Sequence, residues 1–179
     1  MVFSFFLLNF YLTLIFYKNY TSLMNKLINK LLKQSLNNLF SEAGIDHKLR
    51  SFQLFTKPVY NLVCTIGVTG DHHGFLYLYL SVEDAKKLVI MFSEAFNVPV
   101  ESGDGFTDFH KGTLGEIINQ LSGQWCTLLS KHNIDCNISP PTIIKGSDVS
   151  INTSGNKAFK PIYIKGDFGT ARIQVNLKN

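Results

Sequence analysis

The chain has 179 residues, of which 45% are hydrophobic, 17% charged and 13% aromatic, and its formal net charge is +4. This length and composition are typical of one globular domain with its own core. The positive charge is small and scattered, and no basic run is interleaved with aromatic residues, which argues against nucleic acid as the partner. We therefore expect a single-domain protein with a non-nucleic-acid partner.

The first 17 residues, MVFSFFLLNFYLTLIFY, have an unusually apolar composition. A membrane-spanning helix needs about 20 apolar residues, so the run is marginal for that role, and it lacks the basic start and cleavage site of a secretory signal. If the run inserts, the lysines behind it predict that the remainder stays in the cytoplasm. These lysines are Lys18, Lys26, Lys30 and Lys33.

Two alternatives to a membrane anchor stay open for residues 1–23. Met24 begins an amphipathic segment, so these residues are either an over-extended start or, less simply, a buried element of the fold. We predict a single domain over residues 24–179, and contact with a membrane only if residues 1–23 are part of the protein.

The next elements in chain order are a helix and a hairpin. Apolar residues recur at intervals of three and four from Asn25 to Ser41, which predicts a helix with one buried stripe, and Gly44 fits a left-handed cap after it. Two β-rich runs, residues 52–70 and 74–81, flank the turn sequence GDHHG and predict a hairpin. The histidine pair in this turn fits a solvated loop better than a metal site.

Two further helices follow. Ser81 caps a helix predicted over Val82 to Phe96, and a loop then leads to the longest helix, from about Asp108 to His132. The inward residues of the helix after Ser81 are predicted to be Leu88, Val89, Met91, Phe92 and Phe96.

The C-terminal part of the chain is predicted to be mainly strands. Pro140 and Pro141 must leave the helix and indicate an extended approach to a strand. Strands are predicted at 148–153, 159–165 and 171–177, with turns at 154–156 and 166–169. Helices and antiparallel strands that are segregated along the sequence predict an α+β fold, with an antiparallel sheet and helices packed on one face.

The three cysteines match no zinc-ligand spacing. We interpret Cys64, Cys126 and Cys136 as reduced thiols that fill space in a cytosolic protein. No group of residues in the sequence predicts a metal site or a resident cofactor.

The long helix has two contrasting faces. At 100° per residue its large apolar residues fall within one arc about 120° wide, which predicts the core face: Leu114, Ile117, Ile118, Leu121, Trp125, Leu128 and Leu129. Glu116 and Asn119 project side by side from the opposite face. That face also carries Gly112, Gly123 and Thr127, with Gly115 at its margin.

The glycines of this helix need a physical reason. Each interior glycine costs a helix about 0.8–1 kcal/mol relative to alanine, and Gly112, Gly115 and Gly123 lie within twelve residues. One explanation is a docking face on which a bulky partner meets Glu116 and Asn119. The other is an ordinary solvated helix, or glycines that admit a second helix of the same fold.

An acid and an amide at this spacing suit a definite chemistry. The carboxylate can pair with a cation of a partner, while the amide donates and accepts hydrogen bonds at once and can hold a water molecule in line with an electrophile. Phosphoryl transfer depends on such positioning. The sequence has no phosphate-binding glycine-rich loop and no paired aspartates for magnesium, so a metal and most of the phosphate site would come from the partner.

The segment GEIINQLSG, followed by NISPPTIIKG and ARIQVNL, resembles the CheX proteins of the CheC/CheX/FliY family of chemotaxis phosphatases. The resemblance covers residues 24–177. It implies an antiparallel sheet with helices on one side, a homodimer formed through the sheet, and the phosphorylated receiver domain of CheY, with its own Mg²⁺, as substrate. It also implies that Glu116 pairs with the active-site lysine of the receiver domain and that Asn119 orients the attacking water.

The sequence departs from the family pattern in two places. Gly112 stands four residues before Glu116, where the family often has an acid or serine, and the first helix offers only Gln34 and Asn37 where CheC proteins repeat the signature. One active helix, as in CheX, is therefore the better match. A non-catalytic module that binds a response regulator or a flagellar switch component remains the alternative function.

Overall fold

The structure is a computed structural model that describes residues 2–51, 59–101, 103, 105–147, 149–151 and 159–178, with side chains from residue 19 onward. Within these residues the chain forms three helices and seven strands. In chain order they are α1 (Val2–Glu42), β1 (His47–Arg50), β2 (Leu62–Gly70), β3 (His73–Leu80), α2 (Val82–Ala95), α3 (Asp108–Ser130), β4 (Cys136–Ile138), β5 (Thr142–Lys145), β6 (Ile162–Gly166) and β7 (Gly169–Lys178).

The seven strands form one antiparallel sheet in the order β1-β6-β7-β3-β2-β4. Strand β5 pairs with β2 on the same edge as β4, because the other edge of β2 is taken by β3. The hairpin predicted around GDHHG is confirmed in the described residues, with Leu62 opposite Leu80 and Val68 opposite Gly74. Residues 52–58 of the first predicted run lie outside the described residues.

The helices pack on one face of the sheet, as predicted for an α+β fold. The main core contains residues of all three helices together with Cys64 and Ile66 of β2, Leu76 and Leu78 of β3, and Ile173 of β7. Because side chains alternate along a strand, the neighbouring Val63, Tyr77 and Tyr79 face the other way. They form a smaller cluster with Tyr60 on the opposite face of the sheet.

The predicted helices are confirmed with changes at their ends. The helix predicted from Asn25 is the C-terminal part of α1, which begins at Val2, and Gly44 has the positive φ of +64° expected of its cap. Ser81 Oγ accepts a hydrogen bond from the Asp84 N–H at 3.0 Å and caps α2. Phe96 is 47% exposed, so its predicted inward position is wrong, because α2 ends at Ala95, one residue earlier.

One strand prediction is wrong, and the described residues form strands that were not predicted. Residues 149–151 are not a strand; Val149 and Ile151 instead pack against the tyrosine cluster. The turn predicted at 154–156 lies outside the described residues. Strand β1 was not expected, and the extended approach predicted after Pro140-Pro141 is itself a strand, β5, with β4 before it.

No helix among the described residues is long and apolar enough to cross a membrane. The choice between an anchor and an over-extended start for residues 1–23 stays a prediction.

Candidate functional site

Helix α3 carries the candidate site, and its sequence explains where it starts and which side it buries. Thr107 is the N-cap, and its backbone N–H donates to Nδ1 of His110, 3.3 Å away. The predicted core stripe is confirmed: Leu114, Ile117, Ile118, Leu121, Trp125 and Leu129 are buried and Leu128 is partly buried. The opposite side of α3 is therefore turned away from the core.

Two polar contacts fix α3 against α1. The hydroxyl of Ser35, which is fully buried, donates to the carbonyl of Leu121 at 2.8 Å, and Nε1 of the buried Trp125 donates to the carbonyl of Ile28 at 3.3 Å. Both contacts join groups far apart in sequence inside the core, where an unpaired polar group is costly. They hold the site helix in one position relative to the rest of the domain.

Glu116 and Asn119 lie side by side on the outward face of α3. Glu116 is exposed and Asn119 is half-buried. The amide of Gln120, one turn on, donates to Glu116 Oε1 at 3.1 Å. No hydrogen bond of the Asn119 side chain lies within the described residues, so its amide is available to a ligand or a water. The two groups line an open depression with Lys111, Gly112, Gly115, Pro141 and Ile143.

The three glycines of α3 have different surroundings. A Cβ added at Gly112 or Gly123 would meet nothing within 4 Å, so both positions are open on the outward face. A Cβ added at Gly115 would lie 3.3 Å from Cγ of Pro141, and Gly115 is buried. The clearance that we had predicted for a partner at Gly115 is thus taken by a proline of the same chain, and a docking role for this glycine stays a prediction.

Thr127 completes the predicted docking face. Its side chain is exposed, and its hydroxyl donates to the carbonyl of Gly123 at 2.9 Å. This back-bond within the helix leaves the hydroxyl oxygen free to accept a hydrogen bond. The structure brings Thr127 and Gly123 to the same face as Glu116 and Asn119, and their contact with a partner stays a prediction.

A β-bulge brings Pro141 to this face. Strand β4 pairs with β2 so that Ile138 is opposite Val68, whereas β5 pairs so that Thr142 is opposite Thr65. The four residue steps from Ile138 to Thr142 therefore lie opposite only three steps of β2, from Val68 to Thr65. One extra residue is inserted in the β4–β5 segment, at Pro140 or Pro141. Prolines have no N–H, so the interruption of the ladder loses no donor there. The bulge directs Pro141 onto Gly115 and forms one wall of the site.

Ser139 stabilises the start of this bulge. Its backbone N–H donates to the carbonyl of Gly67 and its hydroxyl oxygen accepts from the Gly67 N–H, both at 2.9 Å. A side chain at residue 67 would meet Ser139 Oγ at 2.9 Å. Glycine at this position is what allows the close approach that anchors the wall.

The cysteine interpretation is wrong for two of the three residues. Cys126 of α3 and Cys136 of β4 form a disulfide, with Cα atoms 5.4 Å apart, whereas we had expected reduced thiols. The short turn after α3 returns the chain antiparallel to it, which brings residues only ten apart within bonding distance. Cys64 is a free, buried cysteine as predicted, and burial raises the pKa of its thiol to about 12.

The charged groups around the depression are few. Lys111 Nζ lies 2.7 Å from Asp108 Oδ1, and the hydrogen bond and charge of Lys111 lower the pKa of the Asp108 carboxyl. Both side chains are on the surface, where such a pair contributes little to stability. The described residues hold no group of three or more His, Cys, Asp or Glu side chains that could bind a metal ion.

Sequence reasoning placed Glu116 and Asn119 on one outward face of the helix but missed their neighbours in the depression. The Gln120 contact follows from its position four residues after Glu116, a spacing that places side chains in contact on a helix. The wall at Pro141 had a signal in the consecutive prolines directly before the β-branched run Thr142–Ile144, since prolines in a strand are confined to its start, to edge strands or to bulges. The Cys126–Cys136 bond had no local signal.

The comparisons with known proteins identify the family and the fold. The model of the family described as chemotaxis phosphatase CheX matches residues 62–165, a region that includes the whole of α3. The match covers more than half of the sequence, and the chain belongs to the CheX family of chemotaxis phosphatases. No curated protein sequence gives a significant match.

Solved structures show the same fold. Chemotaxis protein CheX from Vibrio vulnificus is 18% identical over 85% of this chain and 96% of its own, with a TM-score of 0.66. CheX from Desulfovibrio desulfuricans is 20% identical over 84% and 99%, again with a TM-score of 0.66. The CheX–CheY–BeF3–Mg²⁺ complex from Borrelia burgdorferi matches with 18% identity over 86% and 97% and a TM-score of 0.60. The predicted family and fold are confirmed.

Proposed function

We propose that this chain hydrolyses the aspartyl phosphate of a CheY-like receiver domain. The observation that carries the proposal is the position of Glu116 beside Asn119 on the outward face of α3, over an open depression, in a chain of this phosphatase family. The complex of a Borrelia CheX with CheY, BeF3 and Mg²⁺ supports a receiver domain as the partner.

Glu116 is the group that we assign to partner recognition. Its exposed carboxylate is held by a single amide hydrogen bond from Gln120, which a cationic partner can replace or add to. A carboxylate–ammonium pair that loses water on docking is stronger than the neutral amide contact. We therefore infer that Glu116 pairs with the active-site lysine of the receiver domain and fixes how α3 approaches the phosphoryl group.

Asn119 is the group that we assign to the hydrolytic step. Its amide can accept a hydrogen bond from a water and donate to an oxygen of the phosphoryl group, placing the water oxygen in line with phosphorus. The oxygen–phosphorus bond to water forms as the bond from phosphorus to the aspartate oxygen breaks. The aspartate leaves as carboxylate and the proton of the water goes to the phosphate released.

The remaining parts of the reaction are expected on the partner. Phosphoryl transfer proceeds through a loose transition state that needs positioning and charge neutralisation more than covalent help. We expect the Mg²⁺ ion in the receiver domain, so the task of this chain is to place Asn119 and its water. A homodimer formed through the sheet and a cytoplasmic location belong to the same proposal, on the family resemblance.

A dephosphorylation assay with Asn119→Ala tests the proposal. Phosphorylated receiver domains from the same organism, with Mg²⁺, should lose phosphate faster in the presence of this chain, and Asn119→Ala should abolish most of the acceleration, about a hundredfold. Asn38→Ala is the matched control, because Asn38 is also an exposed amide on a long helix. Melting curves of both variants should match that of the unchanged chain.

Two results would contradict the proposal. One is full acceleration by Asn119→Ala, which would remove the amide from the mechanism. The other is binding of a phosphorylated receiver domain without any change in its lifetime, which is the behaviour of the alternative, a non-catalytic binding module.

A further inference from the structure

The outward face of α1 is basic. Lys26, Lys30 and Lys33 are spaced four and three residues apart, so they lie within one sector of the helix about 60° wide. Lys26 and Lys30 are exposed; Lys33 is half-buried and its Nζ donates to Ser51 Oγ at 2.7 Å. These lysines line a surface depression with four amide side chains, Asn29, Gln34, Asn37 and Asn38.

Nothing acidic on this helix offsets the lysines. The first acidic residue of the sequence is Glu42, the last residue of α1. Within the described residues the ion pair that the structure shows is Lys111–Asp108, on another helix. Like charges one turn apart destabilise a helix slightly, so the stripe does not serve the stability of α1. A row of lysines with no acidic partner among the described residues is better explained by an anionic surface outside the chain.

One exposed apolar side chain, Leu23, lies at the N-terminal end of this stripe, and a second, Tyr20, lies one turn before it and about 60° further around the helix. Leu23 is 65% exposed, the highest value among the large hydrophobic residues described, and Tyr20 is 61% exposed. At 100° per residue, Leu23 lies about 20° from Lys30 around the helix. An acidic protein surface would give no reason for an exposed leucine among the lysines, whereas a lipid surface would.

We propose that this face of α1 docks on an anionic membrane surface. Along the helix the sequence changes from the apolar run of residues 1–17, through Tyr20 and Leu23, to the lysines. Hydrocarbon-facing, interfacial and headgroup-facing residues follow the same order at a membrane boundary. Leu23 enters the headgroup region while Lys26, Lys30 and Lys33 contact lipid phosphates. The docking is separate from the phosphatase proposal and uses none of its residues.

Vesicle co-sedimentation of the full chain tests the docking. Vesicles of phosphatidylcholine alone are compared with vesicles containing a quarter phosphatidylglycerol, at low and at physiological salt. Each lysine near an anionic surface raises the partition coefficient about fivefold, so Lys26→Gln/Lys30→Gln should lower binding to the anionic vesicles about 25-fold. Lys145→Gln/Lys165→Gln removes the same charge from exposed strand positions and should bind like the unchanged chain.

Leu23→Ser gives an independent measurement. It removes apolar contact without changing charge, so it should lower binding about tenfold on anionic and neutral vesicles alike. All the substituted side chains are exposed, and unchanged melting curves will show that the fold is kept. Equal binding of the unchanged chain to neutral and anionic vesicles would overturn the proposal. So would an equal loss of binding to anionic vesicles in the Lys26→Gln/Lys30→Gln and Lys145→Gln/Lys165→Gln variants. Binding to soluble polyglutamate but not to vesicles would also overturn it and favour an acidic protein partner.

Discussion

Helices α1 and α3 bury similar apolar stripes against the same face of the sheet, yet their outward faces differ in chemistry. The outward face of α1 carries lysines and amides, and that of α3 carries glycines, an acid and an amide. The core contacts of both helices are explained by folding alone. The two helices therefore differ in the residues that do not contribute to the core, and both proposed functions depend on those outward residues.

The comparison is closest at one pair of positions. Gln34 and Asn37 of α1 have the same spacing as Glu116 and Asn119 of α3. Asn37 Oδ1, however, lies 2.9 Å from Nε2 of His47, and Gln34 has no charge. The α1 pair therefore lacks the anion, and its amide oxygen is already hydrogen-bonded, so the proposed chemistry belongs to α3 alone.

The largest expected effect is the loss of partner binding when the acid of α3 is reversed. Glu116→Lys should weaken binding of a phosphorylated receiver domain about 30-fold or more, because it faces the partner's lysine with a like charge. Lys30→Glu reverses a charge on the outward face of α1 and should leave this affinity unchanged. Titration calorimetry with both variants measures the contrast. Equal weakening by the two variants would show a general charge effect instead of a site.

The glycines of α3 should respond to substitution in opposite directions. Gly115→Leu must displace Pro141 and should lower the free energy of unfolding by about 1–3 kcal/mol. Gly112→Ala enters open space and should raise it by about 0.8–1 kcal/mol through helix propensity. Urea denaturation measures both. A stable Gly115→Leu protein would mean that Pro141 does not rest on this helix.

The contact between the two helices should show a smaller effect. Ser35→Ala removes the buried hydrogen bond to the Leu121 carbonyl and leaves that oxygen without this donor. The free energy of unfolding should therefore fall by about 1 kcal/mol. Ser41→Ala changes an exposed serine of the same helix and serves as the control. If both variants are equally stable, the buried hydroxyl contributes nothing to the packing of α1 on α3.

The smallest expected effect is a pH dependence at the start of α3. Burial lowers the pKa of His110, the charge of Lys86 lowers it further, and Glu101 opposes both. The folded chain then binds fewer protons at this ring than the unfolded chain, so His110 favours folding above its ordinary pKa of about 6.5 and this advantage is lost as the pH falls. Protonation would also end the hydrogen bond that His110 Nδ1 accepts from the Thr107 N–H.

Urea denaturation at pH 7.5 and 5.5 measures this dependence. The unchanged chain should lose more stability between these values than His110→Gln, which cannot titrate. A loss of the same size in both proteins would place the pH dependence elsewhere.

Local patterns predicted the helices and the placement of Glu116 and Asn119 on the outward face of α3, because the necessary information is local. The buried stripe of α3 and the position of Glu116 and Asn119 on one face follow from 3.6 residues per turn. Strand β1 has only four residues, too few for an alternation to be recognised. The Cys126–Cys136 bond and the Pro141–Gly115 contact depend on how β4 returns beside α3, which is tertiary information.

The bulge at Pro140-Pro141 also bears on how two copies of this chain can associate. A sheet edge recruits another strand when it offers an unbroken row of backbone donors and acceptors. The edge formed by β4 and β5 is divided by two residues without an N–H, into segments of three and four residues. The Pro140-Pro141 bulge, which forms one wall of the site, therefore also disfavours the addition of a strand from a neighbouring molecule at this edge.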